Sequence, residues 1–334
     1  MLNGHGDDLH LVNTTIKHNF SSNVFYKGCP KEVTDYLATK IQTIQSYPSP
    51  AATELSSAAA ERYGIDKDHF LFTNGAIEAF YLIAQRYKNK KATIVGPTFS
   101  EYEDACRIHG LPYNVVSKNE LDSSKSDLIF ICNPNNPTGS IYTPSQIEKL
   151  LQQKPNSLFI IDEAYIEFTP KITSILPLTA HYSNLIVVRS LTKTFTIPGL
   201  RLGYIIASKK IIDSLREIRI PWSVNGLAIE VGLYLFQNYD RLLFDATILY
   251  QKAQYFKAKL SEISYLEIRD SSTSYFLVRL KKHTAQALKD HLIKQGILIR
   301  NATNFTLLEG EYIRLAVQSS EANNKLINSL KSWN

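Results

Sequence analysis

Residues 189–204 read RSLTKTFTIPGLRLGY. An apolar run, 185–188 (LIVV), precedes this stretch, and a second, 203–207 (GYIIA), closes it. Short apolar runs bounded by polar turns mark strands buried on both faces. Ser190, Thr192, Lys193 and Arg201 therefore gather where a strand ends. Open α/β sheets bind ligands at the carboxyl ends of their strands. A lysine and an arginine at that edge suit an anion, although a lysine there is equally compatible with a surface charge.

The pattern repeats upstream. Residues 75–87 (GAIEAFYLIAQRY) have helical spacing, 92–95 form a short buried-strand run, and 99–109 read as helix. Residues 127–132 (DLIFIC) are strand-like, 145–152 helical, and 157–161 (SLFII) strand-like again. Strands alternating with helices predict an α/β domain whose sheet is mostly parallel and covered on both faces. The last third differs. A long helix is expected over about 240–262, strands at 275–278, 297–300 and 312–317, and helices at 284–295 and 321–332. This is the pattern of a smaller α+β domain. The expected division is 1–44 as an N-terminal arm and small-domain segment, 45–224 as the large domain and 225–334 as the small C-terminal domain.

Composition bounds the function. The 334 residues are enough for two domains, each with a core. Apolar residues make up 44% and charged residues 20%, as in soluble globular proteins. The net charge of +6 comes without a long basic run, so nucleic acid is not implied, while anionic substrates are compatible. Cys29, Cys106 and Cys132 are scattered, and no Cys/His spacing resembles a zinc site. No metal is expected, and a reducing, cytoplasmic setting fits. The first ten residues are too polar for a signal peptide, and no apolar run approaches the roughly 20 residues of a membrane helix.

Three further segments carry chemistry. In 157–168 (SLFIIDEAYIEF), Asp162 follows a buried strand and Tyr165 lies three residues on. A carboxylate there could bind magnesium or cap a helix. Residues 132–139 (CNPNNPTG) form a rigid turn that would project the amide of Asn135 or Asn136 into the same crevice. In 73–78 (TNGAIE), a glycine turn opens a helix, whose first N–H groups, at Gly75, Ala76 and Ile77, suit a phosphate. A dinucleotide-binding dehydrogenase would need a G-x-G-x-x-G turn, which the chain lacks.

Taken together, in order and spacing, these segments resemble the class I/II aminotransferases of pyridoxal-phosphate fold type I. The specific elements are S-x-T-K with G-x-R ending eight residues after the lysine, and N-P-T-G with D-x-A-Y downstream; the likeness runs from about Asn19 to the end. The resemblance implies a pyridoxal 5'-phosphate enzyme in which Lys193 carries the cofactor as a Schiff base and shuttles a proton. Asp162 would pair with the protonated ring nitrogen. Tyr165 and Asn136 would hydrogen-bond the ring's phenolic oxygen, and Phe99, in GPTFSEY, would stack on the ring. Ser190, Thr192 and Arg201, with the N–H groups near Gly75, Ala76 and Ile77, would hold the cofactor phosphate. Tyr47, in SYPSP, resembles a tyrosine that reaches the partner subunit's cofactor, which implies a homodimer with shared sites. Arg314, in YIRLAVQ, matches the arginine that clamps a substrate carboxylate.

The two ends look most like the threonine-phosphate decarboxylases of the cobalamin pathway, with histidinol-phosphate aminotransferases as near relatives. The resemblance rests on NFSSNV at 19–24, which contains Asn23, and on the tail GILIRNATNFTLLEGEYIRLAVQ. Both groups use a second arginine near the tail for the substrate's phosphate, and Arg300 occupies that place. His5, in GHGDD, resembles the HGGN opening of the decarboxylases, with Asp7 and Asp8 where that pattern has glycine and asparagine. His5 and Asn23 are accordingly expected at the substrate. The substrate implied is a small amino acid or amine that carries a phosphate. Whether it loses a proton, as in a histidinol-phosphate or general amino-acid aminotransferase, or carbon dioxide depends on which bond pocket shape holds perpendicular to the ring.

Overall fold

In the computed structural model, which describes residues 6–333, the apolar runs around the lysine segment lie side by side in one seven-stranded sheet. Its order is Phe70–Asn74, Leu202–Ala207, Leu185–Ser190, Leu158–Asp162, Leu128–Cys132, Ala92–Gly96 and Tyr113–Ser117. Only Leu202–Ala207 runs against its neighbours, so the sheet is mostly parallel, as expected for an α/β fold. The central strands are buried along their whole length because helices cover both faces. On one face, Thr53–Tyr63 and Gly226–Gln237 pack Leu55, Leu235 and Phe236 against Phe72 and Tyr204. On the other, Gly75–Arg86, Glu101–Ile108 and Lys209–Arg216 bury Phe80, Tyr102, Ala105 and Ile212.

A second, antiparallel sheet has the order Arg300–Asn301, Tyr312–Ala316, Tyr275–Leu280, Leu266–Ile268. It shares a core with Ala246–Leu260, Ala285–Ile293 and Ser320–Lys331. The arm returns to this part of the chain: His18–Asn19 pairs in parallel with Ile297–Leu298.

The edge strands Phe70–Asn74 and Tyr113–Ser117 are not among those read from the sequence, and two elements that are read there prove to be divided. The helix expected over 240–262 is broken into Tyr239–Leu242 and Ala246–Leu260. Asp245 interrupts it, because its carboxylate accepts from the N–H groups of Thr247 (2.7 Å) and Ile248 (3.1 Å) and so caps a new helix. The strand expected at 297–300 is also divided. Ile297–Leu298 pairs with the arm, whereas Arg300–Asn301 pairs with Tyr312–Ala316.

Candidate active site

Register places the chemistry at one edge of the large sheet. Cys132 lies opposite Asp162, Asp162 opposite Val188, and Ser190 opposite Gly203. The carboxyl ends of three adjacent parallel strands thus deliver Cys132, Asp162 and Ser190 side by side. They line a cleft together with Ala76, Ile77, Phe99, Asn136, Tyr165, Thr192, Lys193 and Arg201.

Lys193 stands on a single helical turn, Leu191–Thr194, which follows its strand directly; Ser190 caps that turn. Among the described residues its ammonium has no hydrogen bond and no ion pair. Burial, reinforced by the charges of Arg314 and Arg201, brings its pKa down to about 8. Asp162 is 4% exposed. Its Oδ1 accepts from the N–H of Ala164 (2.8 Å) and its Oδ2 from the hydroxyl of Tyr102 (2.5 Å). Burial outweighs these bonds and lifts the carboxyl to about 6. The Tyr165 hydroxyl is pushed up by burial as well. Beneath the site, Arg189 forms buried ion pairs with Glu163 (3.2 Å) and Glu167.

At the other end of the cleft, Gly75 opens its helix with φ +76°, a backbone shape that favours glycine. A Cβ there would stand 2.7 Å from Nη2 of Arg201, and one on Gly203 would stand 2.5 Å from the amide nitrogen of Ala76. The two glycines therefore keep a cradle open between a helix N-terminus and a guanidinium. Thr192 Oγ1 is buried in the same wall and has no hydrogen-bond partner among the described residues. A phosphate suits that donor set, since helical N–H groups and arginine both bind anions. An amine of lowered pKa, a buried carboxylate and an orphaned hydroxyl in one cleft fit pyridoxal phosphate, which needs an amine to condense with, an acid opposite its ring nitrogen and donors for its phosphate.

The turn 132–139 separates its two asparagines. Asn136 lines the cleft and its Oδ1 accepts from Nη1 of Arg314 (2.5 Å). Asn135 faces away, bonding Thr98 (2.7 Å), Pro97 O (2.8 Å) and Thr138 (2.8 Å). Arg314 and Arg300 are register partners on adjacent strands, and both are buried. Arg314 also donates to Ser21 O (2.5 Å), so the arm crosses the site. Asn23, on that crossing, is buried and adjoins the Tyr165 hydroxyl. Arg300 donates to Asn304 (2.8 Å), and its guanidinium carbon lies 5.5 Å from the Phe305 ring centroid. Burial and the neighbouring Arg314 draw its pKa down to about 10.

The arm also deals with its own acids. Asp8 pairs with Lys289 (2.8 Å), and Asp7 accepts from the Asn19 amide (2.5 Å). Gly6 lies against Arg314, where a Cβ would stand 2.9 Å from Nη2. His5 lies outside the described residues. Tyr47 is not brought to the cleft of its own chain. It is 88% exposed, and its ring centroid is 5.5 Å from that of Trp222 in a separate groove. Tyr102 was not singled out from the sequence; its place in GPTFSEY, one helical turn after Phe99, was the available signal.

A family model described as aminotransferase class I and II matches residues 15–330. A threonine-phosphate decarboxylase of Salmonella typhimurium is 30% identical over 332 residues, covering 94% of this chain and 90% of that protein. A histidinol-phosphate aminotransferase of Pyrococcus furiosus is 29% identical over 316 residues, covering 91% and 88%. Among solved structures, an L-threonine-O-3-phosphate decarboxylase from Porphyromonas gingivalis superposes with a TM-score of 0.92 at 33% identity, over 95% of this chain and 99% of that one.

Proposed function

The chain belongs to the class I and II aminotransferase family, and on that premise we propose that it is a pyridoxal-phosphate enzyme that decarboxylates a small phosphorylated amino acid of the threonine-phosphate kind. The observation that carries this reading is one cleft holding Lys193, Asp162 and Asn136, with Asn136 bonded to the first of two adjacent buried arginines, Arg314 and Arg300.

When bound, pyridoxal phosphate supplies an aldehyde that condenses with amines and a ring that takes up the electron pair of a breaking bond. The chain's own residues do the rest. The Lys193 amine holds the cofactor and then moves a proton at the reacting carbon. Its pKa near 8 leaves a usable fraction unprotonated at neutral pH. Asp162 keeps a proton on the ring nitrogen. Tyr165 and Asn136 donate to the phenolic oxygen, and Phe99 covers a ring face. Ser190, Thr192, Arg201 and the N–H groups of Gly75, Ala76 and Ile77 hold the cofactor phosphate. Arg314 takes the substrate carboxylate and Arg300 its phosphate, with Asn23 beside them.

We also propose a homodimer with shared sites. Ile44, Tyr47 and Trp222 are large apolar side chains that line one groove and are left 48–88% exposed, and such a patch marks an interface. Tyr47 would then serve the partner's cleft. Cys29, Cys106 and Cys132 are free thiols, and no described helix is long and apolar enough to cross a membrane, which supports a cytoplasmic setting. The expected division at 1–44, 45–224 and 225–334 is proposed for the domains.

Two measurements test the main reading. Borohydride should trap the cofactor on Lys193, seen by peptide mass. Purified enzyme given threonine phosphate should release carbon dioxide without consuming 2-oxoglutarate. Consumption of the keto acid at the same rate would make it a transaminase instead.

A further inference from the structure

A tyrosine buried in an apolar wall asks why it is not a phenylalanine. Tyr102 is 1% exposed. Phe80 and Phe99 meet its ring edge-on, with centroids at 4.7 and 5.8 Å, and Phe130 stacks at 5.7 Å. Phenylalanine would fill that space equally well, and a phenolic hydroxyl there is costly unless it is hydrogen-bonded. Its bond is to Asp162 Oδ2, at 2.5 Å.

Tyr102 is not among the residues lining the cleft; it stands behind Asp162. The carboxylate has few other supports. Oδ1 accepts from the N–H of Ala164 (2.8 Å), Cys132 Sγ is 4.0 Å from Oδ2 and bonds Pro134 O at 3.3 Å, and Lys193 is the cation facing it. We propose that Tyr102 is a positioning residue for the reaction: by donating to Asp162 it keeps that carboxylate ionised at the cleft wall, and so keeps the proton on the cofactor's ring nitrogen. This rests on the reading of Asp162 given above. A hydrogen bond to a charged group changes a proton affinity by about ten- to a hundredfold. Removing it raises the affinity of Asp162 for a proton and draws that proton from the ring nitrogen onto the carboxyl group.

The test uses holoenzyme loaded with pyridoxal phosphate labelled with ¹⁵N in the ring, in the parent, Tyr102→Phe and Asp162→Asn. The ring-nitrogen NMR signal reports pyridinium or neutral pyridine directly. The parent should give the pyridinium signal, Asp162→Asn the neutral one, and Tyr102→Phe a signal moved toward neutral. In Tyr102→Phe, kcat should fall about ten- to a hundredfold with KM little changed. An Asp162→Asn signal that stays with the parent sinks the reading of Asp162 itself. If Asp162→Asn moves the signal and Tyr102→Phe leaves it at the parent position, Tyr102 is only packing and the proposal is overturned, whatever kcat does.

Discussion

Replacing Arg300 by methionine removes one of two neighbouring buried cations and separates its structural role from a role in binding. Arg300 is 6% exposed and lies opposite Arg314 in the strand register. Burial first, and then the charge of Arg314, draw its pKa well below the ordinary guanidinium range, to about 10, a difference on the order of 3 kcal/mol. For a base held below its unfolded value this cost is fully present at pH 7, where both forms are protonated, and it is relieved only as pH rises above about 10 toward the ordinary guanidinium range. A thioether of similar length carries no such cost but also gives up the Asn304 bond and the Phe305 contact, so the melting temperature of the Arg300→Met apoprotein should change little at pH 7. Binding should move the other way. A bidentate, charge-assisted contact to phosphate contributes about 1.5–3 kcal/mol, or roughly ten- to a hundredfold in affinity. The assay compares kcat/KM on threonine phosphate and on threonine. The variant should lose that factor on the phosphate ester and little on the unphosphorylated amino acid. Equal losses on both substrates would remove the phosphate role. A large fall in melting temperature would mark Arg300 as structural, held through Asn304 and Phe305.

Asp162→Asn should make the apoprotein more stable while crippling turnover. The folded pKa of about 6 against 3.8 means that ionised Asp162 costs stability above pH 6 and nothing well below pH 3.8; a melting-temperature gain at pH 7 that shrinks toward pH 4 is the expected pattern, and a loss at pH 7 would contradict it. Gly75→Ala places a methyl group 2.7 Å from the Arg201 guanidinium at a φ of +76°; cofactor affinity, measured by fluorescence titration, should fall at least tenfold, with unchanged affinity arguing against the phosphate cradle. Inactive Tyr47→Phe and Lys193→Ala proteins, mixed under conditions that exchange subunits, should regain activity through hybrid dimers with one intact site. No recovery in a mixture shown to contain hybrids would argue against sharing.

The parts of the site legible in the sequence were those fixed by local pattern. Asp162 and Ser190 could be placed at strand ends because the short apolar runs SLFII and LIVV end just before Asp162 and two residues before Ser190. Gly75 could be placed at a helix start because the periodic run begins there. What local pattern does not encode is pairing across the chain. Arg300 and Arg314 read as two arginines on separate strands, and their register contact exists only because Arg300–Asn301 pairs with Tyr312–Ala316 while the preceding residues, Ile297–Leu298, are claimed by His18–Asn19. The same competition divided a strand that looked continuous. Asp245 is a good capping residue inside an apolar periodic stretch, and its bonds to the N–H groups of Thr247 and Ile248 outweigh the periodicity there. Tyr102 is the instructive case. Its ring is ordinary core, and its place one turn after Phe99 in GPTFSEY puts it near the cleft without saying what its hydroxyl bonds. Its partner is 60 residues away, on a strand two places across the sheet from the one that precedes its helix. The packing of Phe80, Phe99 and Phe130 around the ring sets that hydroxyl against Asp162, and the acceptor is the carboxylate on which the ring-nitrogen proton depends.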